Sequence, residues 1–240
     1  DHDFNYASVV GMCMYLCNNS RPDISFAVSQ CARFTHNPTE KHALYLRRIG
    51  RYLLATREKG LTMSCSKDWK IDCYVDADFA GGWKDGDHDC PESVLSRTGF
   101  VIMYAGCPIT WQSKLQTEIA LSTTESEYIA LSTAMQEVIP FLNLLQEISA
   151  VFDLPSTKPI FNCKVWEDNE SCIKVATSPK FTPRTKHIAI KYHHFRSFVQ
   201  DKTITIHSIG TKEQLADTLT KPLVESRSSF CYLCQKLMGW

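Results

Sequence analysis

The stretch Ile71-Asp-Cys-Tyr-Val-Asp-Ala-Asp-Phe79 decides how the chain is read. It is strand-like, yet a central strand flanked by Cys73, Val75 and Phe79 should not hold Asp76 and Asp78 without a reason. Burying an unpaired carboxylate is costly or forces protonation. The competing reading is a strand end whose aspartates face solvent. Downstream, Gly81–Arg97 is polar and loop-like, and Phe100–Tyr104 and Ile109–Trp111 are strands around the hairpin signal Ala105-Gly-Cys-Pro108. A long helix follows from about residue 123. Ile160–Trp166 is a strand and Asn169–Thr177 a short helix. A basic segment from Lys180 leads to a helical stretch near Tyr192, and Thr203–Ser208 and Lys212–Leu219 close the pattern as strand and helix. Early strands joined by a hairpin, then strands alternating with helices, predict an α/β fold: a mixed sheet with helices on its faces.

Upstream of the strand, residues 1–60 read as helical. Ser20-Arg-Pro-Asp23 is a helix start. In Asn37-Pro-Thr-Glu40 the Asn is expected to cap, with Pro at N1 and Glu40 at N3. Leu46, Ile49 and Leu53 give the helical spacing, and Gly60 is the expected stop. The expected organisation is a small all-α segment over 1–66, an α/β domain over 67–223 and a helical tail over 224–240.

Composition narrows the function classes. With 44% apolar and 22% charged residues in 240, the chain is too apolar for disorder. Its greasiest stretch, Val138–Leu145, is broken by Asn143 and flanked by Glu137 and Glu147, short of the roughly 20 apolar residues that span a bilayer. No membrane partner is expected. A formal net charge of zero excludes a globally cationic nucleic-acid binder, but not a local basic stripe. The 11 cysteines are odd in number and irregularly spaced, and the opening Asp1-His-Asp-Phe4 is no secretory signal. Reduced, mostly buried thiols in an unsecreted protein are expected, with no disulfide-linked partner. Cys231-Tyr-Leu-Cys234 has the spacing of half a zinc site, but reads better as packing on a terminal helix.

Three further acids stand where neutral residues are expected. In Ser122-Thr-Thr-Glu-Ser-Glu-Tyr128, the serine and Glu125 form a capping box. Glu127 does not fit that job. Steps of four and three lead from it to Leu131, Ala134, Val138, Phe141 and Leu145, so it begins the inward stripe. Glu125 lies about 200° away around the helix. Asp168, in Trp166-Glu-Asp-Asn169, sits where a strand ends and a helix begins; ligand sites gather there, though an N-cap role competes. Asp217, in Glu213-Gln-Leu-Ala-Asp-Thr-Leu219, lies early in a helix that Thr211 and Gln214 can cap, and its competing role is dipole compensation. Carboxylates brought together repel and need cations. Hard oxygen ligands without Cys or His suit Mg²⁺ or Mn²⁺, and two such ions would serve an in-line phosphoryl displacement.

Several ordered motifs carry a resemblance: Tyr74-Val-Asp-Ala-Asp-Phe-Ala-Gly81, Thr98-Gly-Phe100, Ile109-Thr-Trp-Gln-Ser-Lys114, Ala120–Leu131, Glu167-Asp-Asn169, Arg184-Thr-Lys-His-Ile188 and Gln214–Pro222. Together they resemble the ribonuclease H domain of copia-type LTR retrotransposon polyproteins. Arg21-Pro-Asp-Ile24, Asn37-Pro-Thr39 and Arg51-Tyr-Leu53 resemble the thumb-like end of the same family's reverse transcriptase. The resemblance implies a five-stranded mixed sheet whose first three strands are antiparallel, with helices on both faces. It also implies hydrolysis of the RNA strand of an RNA–DNA hybrid, leaving a 3′-hydroxyl and a 5′-phosphate, with recognition through 2′-hydroxyls. By motif, Asp76, Glu127, Asp168 and Asp217 are its catalytic, metal-binding quartet, holding two Mg²⁺ ions for which Mn²⁺ substitutes. Asp78 shares the face of Asp76, where the resemblance leaves it to shape the rim or to contact metal indirectly. The implied partners are the hybrid and the polymerase domain of the same polyprotein. The implied setting is the cytoplasm, including virus-like particles, or the nucleus. Alternatives on the same fold are a silent, hybrid-binding connection-like module and a nuclease acting on DNA.

From Lys180 through Gln200 no residue is acidic. Lys180, Arg184, Lys186, His187, Lys191 and Arg196 make this the candidate grip on phosphates. Arg47, Arg48 and Arg51 form a second basic patch. Gln112, Ser113, Ser122, Thr123 and Thr124 are candidates to touch sugar or base edges. Three features depart from the family: the long acidic loop 82–97 with Asp85, Asp87, His88 and Asp89 at its tip, Ala189 in place of an acid, and Pro140, which should kink the long helix.

Overall fold

The structure is a computed structural model that describes residues 4–82, 91–152, 162–178, 193–223 and 227–240. The tip of the acidic loop, Ala189, and Lys180, Arg184, Lys186, His187 and Lys191 lie outside the described residues.

Three helices lead: α1 (Tyr6–Asn19), α2 (Ser25–Ala32) and α3 (Glu40–Ala55). Then come β1 (Ile71–Asp78), β2 (Arg97–Tyr104), β3 (Cys107–Leu115), α4 (Thr123–Val151), β4 (Cys163–Glu167), α5 (Glu170–Thr177), α6 (Arg196–Gln200), β5 (Ile204–Ser208), α7 (Asp217–Thr220) and α8 (Arg227–Met238). The strands form one sheet in the order β3-β2-β1-β4-β5. β1, β2 and β3 pair antiparallel, whereas β4 pairs parallel with both β1 and β5. That is the ribonuclease H-like arrangement expected from the resemblance. Ala105 and Gly106 turn β2 into β3 with φ of 51° and 81°, the pair of positive values that a two-residue hairpin matched to strand twist requires.

The two faces of the sheet are covered differently. Cys73, Val75, Phe100, Ile102, Val165 and Ile204 pack against Leu131, Met135 and Val138 of α4, with α5 and α6 alongside. On the other face Val101 and Met103 meet Leu215, Leu219, Leu233 and Leu237. α8 joins this core through Leu233, Leu237 and Met238. The leading helices have their own cluster around Tyr6, Val10, Ile24, Val28, Leu46 and Ile49. They also dock on the second face. Trp111 Nε1 donates to Cys17 O at 2.6 Å, and Arg97 donates to Ser29 Oγ at 2.7 Å.

Some local expectations are corrected. Thr39, not Asn37, caps α3: its side chain takes the His42 amide while His42 Nδ1 accepts the Thr39 amide, so the box closes two residues later. The helix ends at Ala55 rather than at Gly60. Lys212–Leu219 is not one helix but a 3₁₀ turn over Thr211–Glu213 followed by α7. Gln214 is no cap. Fully buried, it donates to Val75 O at 2.8 Å and Trp166 O at 3.2 Å, closing the ends of the parallel strands β1 and β4. α4 continues through Pro140, whose ring faces solvent. By length and composition α4 could cross a membrane, but half of its apolar window is buried inside the protein.

Candidate active site

Asp76 is the sixth residue of β1 and is fully buried. Its partner in β2 is Gly99. A Cβ there would come within 2.6 Å of Thr220 Cγ2, 2.9 Å of Leu219 Cβ and 3.2 Å of Ala216 O. The glycine thus lets α7 lie against the sheet. This brings the Thr220 hydroxyl onto Asp76 Oδ2 and places Asp217, 3% exposed, nearby. At the start of α4, Ser122 Oγ accepts the Glu125 amide and Glu125 Oε2 accepts the Leu121 amide. The capping work falls to Glu125, and Glu127 turns inward with 4% exposure. Gln116 anchors this corner, donating to Thr98 Oγ1 at 3.1 Å and to Ser126 O at 2.9 Å. Beyond β4, Asn169 caps α5 through Ser171 and Cys172 amides. Asp168 is therefore not needed as a cap, and its Oδ2 accepts from Thr211 Oγ1 at 3.3 Å.

Oxygens of Asp76, Glu127 and Asp168 lie within 4.8 Å of one another. Asp217 joins them through Lys221, whose Nζ is 2.8 Å from Asp217 Oδ1 and 3.0 Å from Asp76 Oδ1. A fifth carboxyl, Glu167, is fully buried beside this group. The sequence reading passed it over in favour of Asp168. Its signal was the alternation Cys163, Val165, Glu167, which puts all three on the buried side of β4. Lys221 was missed too, although a lysine four residues after Asp217 is an ordinary helical ion pair.

The electrostatics follow from crowding. Burial, then Glu167, Asp76 and Asp168, push Glu127 up to about 11. Burial drives Glu167 well above its usual range, and neighbouring carboxylates add to it. Burial and Asp76 raise Asp168. The same two causes take Asp217 to about 6 against the opposing pull of Lys221. Among the described residues, Glu127 Oε2 and Glu167 Oε2 are buried without hydrogen-bond partners. Carboxyls that repel, carry orphaned oxygens and include neither His nor Cys fit a hard divalent cation such as Mg²⁺ or Mn²⁺.

The other candidates are dispersed. Ser122 and Thr123 are exposed and Thr124 half-buried at the start of α4. Gln112 is half-buried on β3. The Ser113 hydroxyl is engaged inside, accepting from Arg97 and donating to Leu219 O at 2.5 Å. Arg196 donates to Ser178 O, joining α6 to the end of α5. Asp78 is half-buried, and burial and Asp76 raise its pKa.

No family profile matches the chain. It is 36% identical over 232 residues, 97% of its length, to the retrovirus-related Pol polyprotein from transposon RE1 of Arabidopsis thaliana. It is 38% identical over 234 residues, 98% of its length, to that from transposon TNT 1-94 of Nicotiana tabacum. The chain spans 15% and 16% of these relatives. Among solved structures, the N-terminal RNase H domain of a Mycobacterium tuberculosis protein, fused to maltose-binding protein, superposes with a TM-score of 0.42 at 10% identity, covering 70% of this chain and 98% of that one.

Proposed function

Because the chain belongs to the copia-type retrovirus-related Pol polyproteins, we propose that its acidic nest hydrolyses the RNA strand of RNA–DNA hybrids with the help of magnesium or manganese. The observation that carries this reading is the convergence of Asp76 on β1, Glu127 on α4 and Asp168 in the turn after β4, with oxygens within 4.8 Å of one another. Asp217 completes the set across Lys221. When bound, divalent ions supply the Lewis acidity that activates water and stabilises an in-line phosphoryl displacement.

The chain's own residues do the holding. Asp76, Glu127, Asp168 and Asp217 are the proposed ligands. Glu167 backs the nest, and its Oε1 accepts the Asn169 amide at 3.1 Å, which fixes the turn that presents Asp168. Thr220 and Gln116 orient Asp76 and the start of α4. Ser122 and Thr123, exposed at a helix start, suit contacts to a sugar-phosphate strand. The basic stretch Lys180–Gln200 is proposed as the longer grip. The polymerase portion of the same polyprotein is the proposed neighbour, in the cytoplasm, virus-like particles or nucleus.

Cleavage of an RNA–DNA hybrid by the full chain with Mg²⁺ or Mn²⁺ tests the reading. Asp76→Asn should lower the rate about a hundredfold or more, since it weakens an interaction worth several kcal/mol in the transition state. Binding of hybrid without cutting would make the chain a silent module. Preferential cutting of duplex DNA would move it to the DNA-acting nucleases of this fold.

A further inference from the structure

The nest carries a cation of its own. Among the described residues, Lys221 alone makes salt bridges to its carboxylates, at 3.0 Å to Asp76 Oδ1 and 2.8 Å to Asp217 Oδ1. Asp76 therefore faces two ways. Toward Glu127 and Asp168 its carboxyl oxygen lies within 4.8 Å of theirs, with no salt bridge to either among the described residues. Toward Asp217 the space is spanned by an ammonium.

We propose that Lys221 is a positioning residue that holds the cation position between Asp76 and Asp217, so that the nest loads its two divalent ions in order. The first enters among Asp76, Glu127 and Asp168; the second enters beside Asp217 only as Lys221 withdraws. The inference rests on the metal-dependent reading above and deepens it.

Three features support it. Magnesium binds oxygen at 2.0–2.1 Å, well inside the nitrogen–oxygen separations here, so ion and ammonium cannot share these oxygens in one place. Among the described residues no salt bridge reaches Glu127 or Asp168, so at the first position Lys221 meets only Asp76 directly, and the repulsion left there is relieved as soon as an ion arrives. Lys221 also has a way out. It follows the last residue of α7 in extended backbone, φ −120° and ψ 143°, and its side chain is 34% exposed. A flexible four-carbon stem there can swing its charge toward solvent and the phosphates of an arriving strand. In the metal-free protein the same ammonium stops Asp76 and Asp217 from driving α7 off the sheet.

Manganese binding to the full chain, followed by calorimetry and by the loss of the free-ion paramagnetic resonance signal, tests this without any turnover. Wild type should show a tighter and a weaker class of site. Lys221→Met, which keeps the stem and removes the charge, should tighten the weaker class by about tenfold or more and the tighter one by clearly less, since the lysine meets only Asp76 of its ligands. Its metal-free melting temperature should fall. Lys221→Arg, which keeps the charge on a wider fork, should weaken the second class further and guards against a poorly folded methionine variant. Two equivalent sites in wild type, or a second class unmoved by both substitutions, overturns the inference and leaves the metal-dependent reading standing. No manganese uptake by any of the three proteins overturns both.

Discussion

The leading helices and the nest each bury charge, and they do so in opposite ways. In the leading helices Arg21 and Asp23 are 6% and 5% exposed and meet through two hydrogen bonds, at 2.9 and 2.7 Å. Thr56 Oγ1 accepts from Arg21 at 2.8 Å, and the Tyr52 hydroxyl donates to Asp23 at 2.7 Å. The pair ties the turn before α2 to the far end of α3. In the nest, among the described residues, one lysine bridges two of the five carboxyls, and two buried carboxyl oxygens lack hydrogen-bond partners. Complete internal pairing marks a polar cluster that serves the fold. Persistent internal repulsion marks one whose partner comes from outside.

Breaking the complete cluster should cost most. Asp23→Ala leaves the Arg21 guanidinium buried and uncompensated, and urea denaturation should show a loss of about 3–5 kcal/mol. A loss under about 1 kcal/mol would mean that solvent reaches Arg21 and that the contrast with the nest is overstated. Next comes the spacer between the two regions. Gly99→Ala pushes a Cβ into Leu219 and the Ala216 carbonyl, and α7 cannot yield without moving Asp217. A loss of up to about 3 kcal/mol is expected, with weaker manganese uptake at the second class of site.

The third prediction has the opposite sign. Glu127 is raised from an ordinary 4.5 to about 11 by burial and its acidic neighbours. A carboxyl whose folded value lies above its unfolded value binds more protons in the folded state. Its penalty is therefore absent below pH 4.5 and grows as pH rises from there. With metal chelated, Glu127→Gln should be as stable as wild type near pH 4 and more stable by about 2 kcal/mol at pH 6. Magnesium should abolish the advantage by stabilising wild type alone. An advantage that shrinks as pH rises would sink the repulsive description of the nest.

Much of this was open to reading in the residues. Glu127 declared itself because helical periodicity ties a side chain's direction to its position, and Glu125 already had a local job. Asp76 stood out as a charge inside a strand. Other features depend on which elements meet, which no local pattern encodes. Asp168 was a candidate site residue with a competing role as a cap, and only the geometry of Asn169 removes that competitor. Lys221 gains its role only because Gly99 lets α7 close on β1. The docking of α1 and α2 through Trp111 and Arg97 joins residues 94 and 68 positions apart in the chain. Arg97 shows how tight that seam is: it is 2% exposed, and burial followed by Arg33 lowers its pKa to about 10.

The smallest effect contrasts two glutamates on one helix. Glu125 accepts the Leu121 amide at 2.8 Å and sits at the positive end of α4, where a negative charge is favourable. Glu125→Gln keeps a weaker version of that bond and loses the charge, so it should cost about 0.5–1 kcal/mol, the reverse sign of the change at Glu127. Because Glu125 points away from the nest, manganese affinity should stay at the wild-type value. Thermal melts and binding isotherms on both glutamine variants make the check. If Glu125→Gln also stabilises the metal-free protein, repulsion extends to the rim of the nest, and α4 presents two functional carboxylates rather than one cap and one ligand.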